Sequence, residues 1–172
     1  MTKNTSFAGG MYGLFILIIL SVIYPHKMLV YNYTNSVPLG LYLILPIPVQ
    51  KGDLIAFEPP YKAKELIRQR KYLRTDAYLI KHIAGVPGDQ LCTCDDTLLV
   101  DGINYGTIAR KDREGRELTP YHYCGKINDG FIVAIKGMKN SFDSRYYGPV
   151  PEENIIGKAV PFLLFDTKRQ TN

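Results

Sequence analysis

Histidine is scarce in this chain: His26, His82 and His122 are the three among 172 residues. Histidine is the commonest general base, yet none of these is well set for the work. His26 adjoins a long apolar run, His82 lies in an apolar strand, and His122 falls in a charged stretch close to Cys124. Base-assisted chemistry must draw on another side chain. Cysteine is equally scarce and odd in number, with Cys92, Cys94 and Cys124. A chain of this length buries enough apolar surface to fold without a disulfide framework. Cys92 and Cys94 are too close for a sensible bridge to each other. One of them can reach Cys124, which fits an oxidising compartment. A zinc site of Cys92, Cys94, His122 and Cys124 competes with that reading, but C-x-C and H-x-C depart from the usual ligand spacings. No cofactor or metal is expected. Internal repeats and low-complexity tracts are also missing, which leaves one packed domain and an appendage.

The appendage is apolar. Residues 7–24, FAGGMYGLFILIILSVIY, form an uncharged run close to the ~20 residues that a membrane-spanning helix needs. The run ends in Ile-Tyr-Pro-His and offers no A-x-A-like cleavage site, so a retained anchor over residues 1–27 is expected rather than a cleaved signal. Lys3 before it and Lys27 after it are nearly symmetric and give no orientation. The basic excess, 21 Lys and Arg against 16 Asp and Glu, is concentrated locally. Lys62, Lys64, Arg68, Arg70, Lys71 and Arg74 stand against Glu65 and Asp76. Ala63, Leu66, Ile67 and Leu73 give that segment one apolar side, so the charges read as the solvated side of a surface helix. A bilayer beside the anchor suits them, and no nucleic-acid partner is expected.

Residues 28–172 read as a mainly β domain of short antiparallel strands with one short helix. Strands are expected at 39–45, 54–57, 78–86, 90–93, on both sides of Asp101-Gly102, at 130–135 and at 157–165. Asp-Gly between apolar flanks is the strongest hairpin signal in the chain. The helix is expected from Tyr61 to about Tyr72. A polar excursion covers about 110–126.

Three separated segments carry chemistry: NYTNSVPLGLY around Ser36, YLIKHIAGVPGD around Lys81 and NSFDSRYYG around Asp143. A serine hydroxyl is a weak nucleophile and needs a base within hydrogen-bond reach. Lys81 is the candidate, because Leu79, Ile83 and Ala84 surround it and burial favours the neutral amine that can accept a proton. Pro38 and Gly40 would hold Ser36 in a defined turn. The Thr34 hydroxyl and the Ser36 backbone N–H would then serve a developing oxyanion. An ionised Asp143 touching Lys81 would raise the lysine pKa and oppose its work, so Asp143 reads as an organiser of the site.

In this order, the anchor, the serine segment with Asn32, Thr34, Ser36, Pro38, Gly40, Leu41 and Tyr42, KGDLIAF, the lysine strand ending in PGD, and SFDSRYYG resemble the S26 family of signal peptidases. The conjugative-transfer branch of TraF-type, pilin-processing peptidases is the most similar. That resemblance implies a β-fold shared with LexA-like proteins and a membrane-anchored serine endopeptidase. Ser36 would be its nucleophile, Lys81 its general base and Thr34 its side-chain oxyanion donor. Ser141 would orient the lysine amine, with Asp143 and Arg145 as the supporting pair; the branch also gives its aspartate a part in activity. The implied substrate is an exported precursor, foremost a conjugative pilin subunit, released to water or cyclised by its own amino terminus. The implied location is the bacterial inner membrane, with the catalytic domain facing the periplasm. Housekeeping signal peptidases carry G-D-N-R where this chain has Gly137-Met138-Lys139-Asn140. A general signal peptidase and a catalytically silent assembly protein of the secretion channel remain the alternatives.

Overall fold

The computed structural model describes residues 28–74, 77–139 and 141–165. The expected anchor over residues 1–27 lies outside them. Among the described residues no helix is long and apolar enough to cross a membrane. The elements in chain order are β1 (Leu29–Asn32), β2 (Gly40–Leu45), β3 (Leu54–Phe57), α1 (Tyr61–Arg70), β4 (Leu79–Gly85), β5 (Gln90–Cys92), β6 (Thr97–Val100), β7 (Ile103–Thr107), β8 (Cys124–Lys126), β9 (Ile132–Ala134), α2 (Ser144–Tyr147) and β10 (Ile155–Leu164). They form a six-stranded sheet ordered β1-β2-β10-β3-β4-β9 and a four-stranded sheet ordered β7-β6-β5-β8.

Period-two patterning explains the central strands. In β2 the residues Gly40, Tyr42 and Ile44 are buried while their neighbours are partly exposed, as a strand with one core face requires. β4 is buried on both faces except at His82, because Leu79 and Ile83 pack into one core cluster and Ile80 and Ala84 into two others. Leu79 and Ile83 join Ile55, Phe57 and Val133 beneath Ala63 and Ile67 of α1. Ala84 belongs to a different cluster, with Leu91, Leu98, Val100 and Ile132. The Asp101-Gly102 turn has φ of 48° and 74°, the left-handed pair that a tight hairpin demands.

Three elements escape the sequence pattern. β1 exposes Leu29 and Tyr31 and buries Asn32, which inverts the usual alternation. β8 has three residues, and α2 is a single turn capped by Asp143. Cys92 ends β5, and Cys94 lies beyond the strand. Cys92 and Cys124 are directly opposed across β5 and β8 and form a disulfide. Cys94 is free and exposed, with its Sγ 3.2 Å from that of Cys92. Oxidation removes two of the thiolates that zinc would need, and His122 does not join the three sulfurs.

Gly40 differs from its expected role in the serine turn. It sits inside β2, opposite Asn32 of β1 and Leu164 of β10, and a Cβ there would run into the Leu163 carbonyl. Close approach of two backbones is what the glycine permits. Gly40→Ala is therefore expected to cost about 1–3 kcal/mol, typical of overpacking. Urea unfolding measures it, and an unchanged midpoint would refute this account.

Candidate active site

Ser36 lies in the loop between β1 and β2, which is closed by the Asn32–Gly40 pair. Asn32 organises that loop from a buried position. Its Nδ2 donates to the carbonyls of Thr34, Val37 and Pro38 at 2.9, 3.0 and 3.1 Å. Its Oδ1 accepts from the backbone N–H of Thr34 at 3.1 Å and from the Thr34 hydroxyl at 2.7 Å. One side chain thus satisfies backbone groups along the whole turn. The Thr34 and Ser36 hydroxyl oxygens are 3.1 Å apart. Since the single Thr34 hydroxyl proton goes to Asn32, Ser36 is the donor in that pair. Thr34 can serve an oxyanion only after releasing Asn32. The Ser36 backbone N–H hydrogen bonds to nothing among the described residues.

Lys81 stands in the middle of β4 at 4% exposure, opposite Ile55 of β3. Burial lowers its pKa to about 8; Asp143 pulls it back up and Arg145 pushes it further down. Its amine makes no hydrogen bond among the described residues, and none joins it to Ser36. His82 points the other way, as strand alternation requires. It is exposed, with Nδ1 3.0 Å from the Gly52 carbonyl.

The third segment supplies a buried ion pair. Asp143 and Arg145 are fully buried and 3.3 Å apart. Asp143 caps α2 by accepting the Arg145 backbone N–H at 3.2 Å. The Arg145 guanidinium donates to the carbonyls of Met138, Tyr105 and Ile135 at 2.8, 2.7 and 3.1 Å. It thereby ties the 135–138 turn to β7. Burial pushes the Asp143 carboxyl up, against the pull of Arg145 and Lys81. Ser141 also steadies that carboxylate, yet its buried Oγ lacks a partner of hydrogen-bond geometry.

Ser36, Thr34, Lys81 and Ser141 line one cavity of about 450 Å³, while Asp143 and Arg145 lie behind its wall. Four of the six residues singled out in the sequence therefore meet at one surface. A second cavity of about 830 Å³ runs along β1 and β4, lined by Leu29 to Thr34 and Ala77 to Ile80. It shares Tyr33, Thr34, Leu73 and Leu79 with the first. Asn35 lines the cavity at Ser36, while Tyr78 and Ile80 line the second groove. Sequence reasoning placed Asn32 in the motif without seeing its work, although an asparagine ahead of a turn is a recognised turn organiser. It missed Asp112, whose five hydrogen bonds anchor the 110–118 loop beside the cavity.

Asn32→Asp keeps the shape of the side chain but faces three carbonyl oxygens with an acceptor. A loss of about 1–3 kcal/mol is expected from the orphaned carbonyls. Denaturant unfolding at neutral pH measures it, and wild-type stability would refute the assigned role.

Comparison with known proteins identifies relatives of this chain. The family described as signal peptidase, peptidase S26, matches residues 2–164. A conjugal transfer protein TraF of Agrobacterium fabrum is 36% identical over 146 residues, covering 78% of this chain and 82% of that protein. A plasmid transfer protein TraF of Escherichia coli is 28% identical, covering 77% of this chain and 81% of its own length. A signal peptidase I of Leptolyngbya laminosa is 32% identical, over 66% of this chain and 52% of that protein. Among solved structures, a signal peptidase I from Enterococcus faecalis matches with a TM-score of 0.39 and 20% identity, over 66% of this chain and 98% of the other. On the extent of the family match, the chain belongs to the S26 signal peptidase family.

Proposed function

We propose that this chain is a membrane-anchored serine endopeptidase in which Ser36 is the nucleophile and Lys81 the general base. Its substrate is an exported precursor, foremost the pilin subunit of a conjugation apparatus. One observation carries the reading: a lysine with its pKa lowered to about 8 by burial shares a cavity with a serine whose loop is pinned from below by Asn32. Burial is the cause that a lysine base requires. Kinship with conjugal and plasmid transfer proteins supports the choice of substrate.

In the proposed reaction the Ser36 hydroxyl turns from Thr34 toward the neutral Lys81 amine. Lys81 takes its proton as Oγ attacks the scissile carbonyl. The Ser36 backbone N–H, and Thr34 once freed from Asn32, donate to the oxyanion. The C–N bond breaks as the Lys81 ammonium protonates the leaving amine, which leaves an acyl-enzyme. Water or the amino terminus of the product then attacks the ester, and the second attack closes a ring. Asp143 acts by holding Arg145 and Ser141 in place, and Ser141 steers the lysine amine.

The apolar run of residues 7–24 is the proposed anchor. β1 follows it and exposes Leu29, Tyr31 and Tyr33, with Phe162, Leu163, Leu164 and Phe165 also exposed. Tyr31 and Phe165 pack edge to face at 6.0 Å. A contiguous aromatic and aliphatic margin of this kind suits the bilayer interface. The Cys92–Cys124 disulfide favours the periplasmic face.

Co-expression of the pilin precursor with wild type, Ser36→Ala or Lys81→Ala tests the dyad by product mass. Both variants are expected to leave the precursor uncut; processing by either sinks the proposal. Between pH 6 and 7 kcat/KM is expected to rise about tenfold and to level off above about 8, because only the neutral amine accepts a proton. A flat profile would contradict the base. Asp143→Asn removes the charge that holds the lysine pKa up, so the rising limb moves to lower pH. Lys81→Met abolishes turnover but stabilises the fold. The folded-state pKa lies below the unfolded one, so the ammonium penalty is complete below about pH 8 and disappears as pH rises toward 10.5. At neutral pH the gain is expected to be about 1–3 kcal/mol. Lower stability at that pH would show that Lys81 is not desolvated as described.

A further inference from the structure

The cavity that holds Ser36 is lined by far more charge than serine chemistry requires. One wall is the loop of residues 110–118, fastened to the end of α1 by Asp112. The Asp112 Oδ1 accepts the backbone N–H groups of Glu114 and Arg116 at 3.0 and 2.9 Å. Its Oδ2 accepts Tyr72 Oη, Arg116 Nε and Arg70 Nη1 at 2.6, 2.8 and 3.2 Å. The Asp112 side chain is 7% exposed, so this is a built anchor. A contact between Lys111 and Glu117 strands closes the loop.

The charges on that wall do not cancel. Arg116 also pairs with Glu114 at 3.0 Å, so Arg70 and Arg116 are matched by Asp112 and Glu114. Lys71, Lys111 and Arg113 line the same cavity and make no ion pair among the described residues. Lys71 is held at the cavity by the helix end, where it adopts the left-handed conformation at φ 54° and its N–H bonds to the Ile67 carbonyl. The lining also includes Thr34, Asn35, Ser36, Ser141, Phe142 and Tyr146, none of them acidic. A cleft lined by one sign of charge and bounded by protein concentrates the opposite sign.

We propose that the Lys71, Lys111 and Arg113 wall is a specificity element that binds acidic side chains of the substrate polypeptide next to the bond presented to Ser36. The inference rests on the peptidase reading and adds to it the chemistry of the substrate. Asp112 ties the backbone that carries Lys111 and Arg113 to the helix end that carries Lys71, so an acidic residue held there helps set which peptide bond is presented. Each exposed pair contributes little, so the three together are expected to give about tenfold in affinity at low salt.

The test measures binding, so it does not depend on turnover. Full-length Ser36→Ala protein in detergent is titrated with a fluorescent, blocked, alanine-rich peptide carrying glutamate at alternate positions, and with its glutamine isostere. The glutamate peptide is expected to bind about tenfold more tightly, with the gap shrinking as salt rises. Lys71→Gln, Lys111→Gln and Arg113→Gln together should close the gap. Lys62→Gln, Lys126→Gln and Lys136→Gln, which remove the same charge from exposed positions away from the cavity, should preserve it. Equal affinity for the two peptides, no binding of the glutamate peptide, a gap that survives in the wall variant, or a gap lost equally in the control variant would each overturn the proposal. So would a short oligothymidylate that binds the wall more tightly than the glutamate peptide does. Failure of the dyad is read separately, in the precursor-processing assay.

Discussion

Everything at this site depends on removing one ammonium from water. Lys81 lies in the middle of a strand with Leu79 and Ile83 on its own face, and its displacement from an ordinary lysine pKa is a desolvation effect first. The cost falls on the fold and the benefit on the chemistry, because the energy that disfavours the charged amine makes it a base near neutrality. An isolated buried charge would be too costly. The Asp143–Arg145 pair limits that cost: the carboxylate draws the lysine pKa up while the guanidinium draws it down, and desolvation decides the outcome. On the proposed reading, Asp143 therefore need not touch the reaction to set its pH range.

Position at the other pole is achieved by hydrogen bonding. Asn32 holds three carbonyls of the serine loop and also takes the Thr34 proton. The resting state consequently points the Ser36 proton at Thr34. In the proposed reaction, substrate entry must redirect one hydroxyl and free another.

The sequence disclosed most of the strands because their signals are local. LGLYLIL, LIAF, the Asp101-Gly102 turn and the lysine strand each carry a period or a turn dipeptide in their own residues. β1 stayed hidden because its apolar residues face outward and its asparagine inward. α2 and β8 are too short for any period to emerge. At the site, residue types announced Ser36 and Lys81, but Asn32 was legible only as part of a motif. Asp112 bonds locally to Glu114 and Arg116, but its bonds to Arg70 and Tyr72, which fasten the loop to the end of α1, span about forty positions, and proximity of that kind is created by the fold alone. The cysteine pairing was half legible: the strand said one of two could bridge, and only the register of β5 with β8 selects Cys92.

The sheet order has a consequence for synthesis. β1 and β2 carry the serine loop, β3 and β4 carry the lysine, and β10 alone lies between the two pairs. A ribosome therefore releases the Ser36 and Lys81 strand pairs separately, with no sheet to join them until β10 has emerged and been inserted. On the proposed reading, a chain that still lacks β10 has no assembled site.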